Sequence, residues 1–129
     1  MTKILIIDDE KPTLQMLKLY LEVCGYEVLT ADNEADGMAV FSEHHPPIVL
    51  TDIKMPGKDG FAVLRQIKTM VPYTQVIVIT GHGDRDLARQ AFDLDACAFF
   101  NKPLDTETLE KEIKKIEDAL LKGGMPGFD

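Results

Sequence analysis

The sequence predicts a doubly wound α/β sandwich, in which five βα units in series lay a parallel sheet between two layers of helices. Three observations point there. Short runs that are apolar on consecutive residues recur five times, as strands buried on both faces require. Between them stand segments whose apolar residues recur at helical spacing. The length of 129 residues suits one domain, and no repeat or low-complexity stretch breaks the series. Crossovers of one helix each, taken right-handed, place helices on both faces of the sheet.

The elements follow in order. Ile4-Leu5-Ile6-Ile7 is the first strand. Pro12 suits the first turn of a helix carrying Leu14, Leu17 and Leu21, and Gly25 stops it. Glu27 to Ala31 forms a second, weaker strand. Asp32 or Asn33 caps a helix with Ala35, Met38 and Phe41, which tolerates Gly37 and cannot pass Pro46-Pro47. Ile48 to Thr51 is the third strand, and Phe61, Leu64, Ile67 and Val71 mark a third helix that ends at Pro72. Val76 to Ile79 is the fourth strand. The loop Gly81-His82-Gly83-Asp84 leads into a helix marked by Leu87, Ala88, Ala91 and Phe92. Ala96 to Phe100 is the fifth strand. Asp105 caps a last helix with Leu109, Ile113, Ile116 and Leu120 on one face. Residues 123–129 are aperiodic and Gly-rich, a flexible tail or the start of a linker, so the domain is expected to span 1–122.

Composition narrows the function. A net charge of −8, from 22 acidic and 14 basic residues, argues against nucleic-acid binding by phosphate neutralisation. It favours divalent cations or basic partners. Cys24 and Cys97 sit in apolar surroundings without a Cys-x-x-Cys pattern and read as reduced core residues. No apolar stretch approaches the ~20 residues of a membrane span. Met1-Thr2-Lys3 runs straight into a strand, leaving no room for a signal peptide, so no membrane contact and a cytoplasmic location are expected.

In an open parallel sheet, ligands bind beyond the carboxyl ends of the strands. Here the first strand ends in Asp8-Asp9-Glu10, the third in Asp52, the fourth in Thr80 and the fifth in Lys102. Each has an ordinary structural reading by itself. Asp8-Asp9 suits a turn with a helix cap, Asp52 a polar turn, Thr80 a strand position and Lys102 the solvated surface. Their joint placement at one end of four strands is far less expected by chance. Clustered carboxylates repel one another and attract a cation. With only hard oxygen donors and no Cys or His among them, Mg²⁺ is favoured, Mn²⁺ being the alternative.

Four motifs occur in order: Ile6-Ile7-Asp8-Asp9-Glu10, Thr51-Asp52-Ile53-Lys54-Met55-Pro56-Gly57-Lys58-Asp59-Gly60, Val76-Ile77-Val78-Ile79-Thr80-Gly81-His82-Gly83 and Phe99-Phe100-Asn101-Lys102-Pro103. Through them, residues 3 to about 121 resemble the receiver domain of two-component response regulators, of the chemotaxis-receiver kind. The resemblance implies a flavodoxin-like fold with strand order 2-1-3-4-5. It implies Asp52 as phosphoacceptor for a sensor histidine kinase or phosphotransfer protein. Asp9, Asp52 and the Lys54 carbonyl would bind Mg²⁺ directly, and Asp8 through water. Lys102 would pair with Asp52 and then with the phosphoryl oxygens. Thr80 would bond the phosphoryl group, with Phe100 as the switch aromatic that relays the change to the face of the fourth helix, fifth strand and fifth helix. A dimer through that face is an option the resemblance leaves open, as is an output domain or partner outside this chain.

The resemblance implies self-phosphorylation and self-dephosphorylation, with no other enzyme activity. Lys54 and His82 flank the expected phosphate site and bear on phosphate lifetime. Asp95 stands where many receivers have Gly before the fifth strand, in a left-handed turn that Asp tolerates. Three rival readings remain: a flavodoxin-type electron carrier, an Asp-nucleophile Mg²⁺-dependent phosphatase, and a receiver-like binding module that is not phosphorylated. The first would need a Ser/Thr/Gly-rich phosphate loop where this chain has Asp-Asp-Glu, and the second an Asp-x-Asp motif after the first strand.

Overall fold

A computed structural model describes residues 2–53, 61–81 and 85–122. Five strands alternate with five helices: β1 (Lys3–Ile7), α1 (Lys11–Val23), β2 (Glu27–Ala31), α2 (Glu34–His44), β3 (Ile48–Asp52), α3 (Ala62–Met70), β4 (Gln75–Thr80), α4 (Arg85–Asp93), β5 (Ala98–Asn101) and α5 (Thr106–Leu121). The strands form one parallel sheet in the order β2-β1-β3-β4-β5. This is the expected doubly wound sandwich.

Side-chain alternation along each strand divides the core into two layers. Ile4, Ile6, Ile48, Leu50, Ile77, Ile79 and Ala98 pack under α1 and α5, against Leu14, Leu17, Leu21, Leu109, Ile113 and Ile116. Leu5, Ile7, Val49, Val76 and Val78 pack under the other three helices, against Phe41, Val63, Leu64, Ile67 and Ala91. The central strands are wholly buried, which explains why they are apolar on both faces. Gly37 of α2 lets the helix close on the sheet, since a Cβ there would lie 2.6 Å from Ile7 Cδ1.

Several local expectations resolve. Asn33 caps α2, its side chain accepting the Asp36 N–H, and Asp105 caps α5 through the N–H groups of Glu107 and Thr108. Gly25, at φ +99°, follows the end of α1, where a left-handed residue closes a helix. Asp95 adopts φ +69°, the left-handed turn anticipated for it. Other details differ. Ala96 and Cys97 precede β5, and Phe61 caps α3 instead of starting it. Ala35 and Phe92 lie exposed, because their helices turn other residues inward. Both cysteines are free and only partly buried. Burial pushes the Cys97 thiol up to about 11. No helix among the described residues is long and apolar enough to cross a membrane.

Candidate functional site

Parallel pairing brings the strand ends level. Ile7 is paired with Thr51, Asp52 with Ile79 and Thr80 with Asn101. Alternation then decides which face each functional residue continues. Asp8 extends the row Ile4–Ile6, Asp52 the row Ile48–Leu50, and Lys102 the row Ala98–Phe100, all on the α1/α5 side. The three meet: Lys102 Nζ lies 2.9 Å from Asp52 Oδ2 and 2.7 Å from Asp8 Oδ2. It also donates to Glu10 Oε1. The Lys102 backbone N–H bonds the Thr80 carbonyl at 2.8 Å, locking the end of β5 to β4, and the Lys102–Pro103 bond is cis.

The environment is low in water. Asp8 is fully buried, Asp52 almost so, and only 13% of the Lys102 side chain is exposed. Asp8 Oδ1 accepts the Glu10 N–H at 2.9 Å. Asp8 Oδ2 faces the ammonium at ion-pair distance but has no well-directed hydrogen bond among the described residues. Burial raises the Asp8 pKa above the usual carboxylate value, and contact with Lys102 only partly offsets that. Burial alone would lower the Lys102 pKa, but its contacts with Asp8, Glu10 and Asp52 outweigh the loss of water and raise it. Removing the ammonium would strand buried like charges, which is far costlier than losing an exposed pair.

One oxygen each from Asp8, Glu10 and Asp52 lies within 4.8 Å of the others. An all-carboxylate set with a buried, incompletely bonded oxygen fits a hard divalent cation such as Mg²⁺. Asp9, expected as a direct ligand, is exposed and lies outside this trio. Glu10, named from the sequence at the acidic end of the first strand but given no role, lies inside it. Lys54 and His82 are outside the described residues. A groove lined by Lys11, Leu14, Thr30 and Asp36 lies to one side, between α1 and α2, and does not include the acids.

Thr80 is fully buried and continues the row Val76–Val78, on the face opposite Lys102. This corrects the expectation for Phe100. Phe100 does share the side of Lys102 and packs with the α1/α5 cluster, but that is not the side of Thr80. Phe99, paired with Val78, packs on the Thr80 side. The register between β4 and β5 holds the signal: residues paired across neighbouring strands share a face.

The response regulator receiver domain model matches residues 4–114. The chain belongs to that family. Sporulation initiation phosphotransferase F of Bacillus subtilis is 31% identical to this receiver over 113 residues, covering 88% of this chain and 91% of that protein. The DNA-binding transcriptional regulator NtrC of Escherichia coli is 32% identical over 115 residues, covering 89% of this chain but 24% of that protein. The receiver therefore spans most of the first relative and about a quarter of the second. Among solved structures, a response regulator receiver domain protein from Clostridium thermocellum matches with a TM-score of 0.84 at 41% identity, covering 89% of this chain and 93% of that one. A CheY-like receiver from Methanospirillum hungatei matches with a TM-score of 0.90 at 30% identity, covering 96% and 99%. Receivers are the signalling switches of two-component systems.

Proposed function

We propose that this receiver accepts a phosphoryl group on Asp52 from the phosphohistidine of a sensor histidine kinase or phosphotransfer protein. The observation that carries the reading is the nearly buried Asp52 carboxylate at the end of β3, 2.9 Å from Lys102 Nζ and beside Asp8. A strand end fixes the nucleophile. An Asp52 oxygen forms the bond to phosphorus as the bond to the donor nitrogen breaks, and the departing imidazole takes up a proton. Catalysis of this kind is positioning and charge neutralisation.

Asp52 and Asp8 would hold Mg²⁺, with Asp9 and the Lys54 carbonyl as the further ligands that the family resemblance implies. When bound, the ion offsets the charge that builds between acceptor and donor oxygens. Lys102 keeps its ammonium charged and turns it to the phosphoryl oxygens. Thr80 hydrogen-bonds the phosphoryl group, and Phe99, on the same face, follows the space that Thr80 vacates. The signal then passes to the face of α4, β5 and α5, for an output domain or partner protein. The relatives support both arrangements, since the receiver spans nearly all of one and a quarter of another.

Incubation with Mg²⁺ and acetyl phosphate is expected to add one phosphoryl group, labile to base and hydroxylamine, by intact-mass measurement. Asp52→Asn should stay unlabelled. Labelling of Asp52→Asn at the same site and rate as wild type refutes the assignment.

A further inference from the structure

We propose that Glu10 is a latch on Lys102: its side chain holds the ammonium at the acid cluster in the resting state and must release it when Asp52 is phosphorylated. This rests on Asp52 being the acceptor. Glu10 then acts as a positioning residue, setting how readily the site is phosphorylated.

Three observations carry the inference. An ammonium has three N–H donors. Lys102 faces three carboxylates, those of Asp8, Glu10 and Asp52. A phosphoryl group arriving on Asp52 draws the ammonium toward its own oxygens, and apart from the acceptor itself the carboxylate that takes a directed bond from Lys102 is Glu10. Asp8 is fully buried and pinned by the Glu10 N–H, and Asp52 is the acceptor itself. Glu10, with 58% of its side chain exposed, is the partner with room to leave.

The second observation is its place in the chain. Glu10 is the N-cap of α1, with extended backbone at φ −87° and ψ 100°, yet its side chain makes no capping bond. The caps Asn33 and Asp105 both use their side chains for that purpose. The Glu10 carboxylate instead crosses to a residue 92 positions away. Its backbone still does the helix's work, the carbonyl accepting the Leu14 N–H at 3.1 Å.

The third is charge. The donor phosphoryl group is anionic, and it enters beside an exposed carboxylate that already occupies the cation it needs. Glutamate at position 10 thus opposes phosphorylation both by holding Lys102 and by repelling the donor. Length separates the two effects. Aspartate keeps the charge but is one methylene shorter and draws the carboxylate back from Lys102.

The test uses the intact chain, with Glu10→Gln and Glu10→Asp compared to wild type in acetyl phosphate at saturating Mg²⁺. Both variants are expected to phosphorylate faster, Gln by about twofold to fivefold, the scale of one partly exposed charge pair. Gln no faster than wild type overturns the latch. So does a fast Gln variant with Asp as slow as wild type, because repulsion alone would then suffice. A Gln variant slowed at low Mg²⁺ and restored by more Mg²⁺ would make Glu10 a metal ligand instead. A second reading needs no phosphorylation: the Lys102 NH₃⁺ cross-peak in a ¹H–¹⁵N spectrum of the unphosphorylated protein. It should be present in wild type and lost or broadened in both variants. If no protein is phosphorylated but the cross-peak behaves so, the acceptor reading fails while the Glu10–Lys102 contact stands. An unchanged cross-peak removes the contact itself.

Discussion

Helices α3 and α4 have the same length, nine residues, and cover the same face of the sheet, yet they are bound to it very differently. α3 buries Val63, Leu64 and Ile67 almost completely. α4 fully buries only Ala91, keeps Leu87 and Ala88 partly buried and leaves Phe92 49% exposed. A fully buried aliphatic side chain contributes about 1.5–3 kcal/mol, whereas a single buried carbon such as an alanine methyl contributes about 0.8 kcal/mol. α3 is therefore fixed to the sheet several kcal/mol more firmly. α3 follows the strand that ends in Asp52, the proposed acceptor, and α4 follows the strand that ends in Thr80. Marginal packing is what an element that shifts under a small input requires. A typical coupling of about 1–3 kcal/mol can move α4 but not α3.

The largest effect that tests this contrast is a pair of truncations. Leu64→Ala in α3 should cost about 2–5 kcal/mol in urea unfolding, as buried leucines do. Leu87→Ala in α4 should cost about 1 kcal/mol or less, because its side chain is already part-solvated. Equal losses would remove the contrast. Hydrogen exchange sharpens it next: amides of α4 should exchange before those of α3 in the resting protein, and phosphorylation should alter α4 first. Uniform protection across both helices would make the sheet face one cooperative unit. The smallest effect is at Phe92. Phe92→Ser should change stability by no more than about 0.5 kcal/mol, since half of the ring is in water. A loss above 2 kcal/mol would show that α4 is seated more deeply than its burial indicates.

The same difference explains what could be read in the sequence. β1, β3 and β4 announce themselves because an unbroken apolar run must be buried on both sides, and each stops abruptly at a polar residue. Asp8, Asp52 and Thr80 were legible for that reason, and Asp8 and Asp52 meet at Lys102 within ion-pair distance. β5 was less clear, because Ala96 and Cys97 are apolar but belong to the turn leading into it. α4 was misread at Phe92, since an apolar residue at helical spacing need not face the core. The face of Phe100 depended on the register between β4 and β5, which is a property of pairing and not of either segment alone. Glu10 was hidden differently. A charged residue opening a helix looks like a solvated end, and only the fold reveals the lysine across from it.

Gly37 carries a consequence for how substitutions in this protein are interpreted. It lies on a helix across the sheet from Lys102, and a Cβ there would meet Ile7 at 2.6 Å. Ile7 is the residue directly before Asp8, so a side chain at position 37 would press on the strand that ends in that carboxylate. A displacement of an ångström would stretch the 2.7 Å contact of Asp8 with Lys102, and misplacement on that scale can cost a site much of its activity. A variant at position 37 that expresses and folds can still be a signalling mutant. Distance from the acids is thus a poor guide to which inherited or engineered changes are silent.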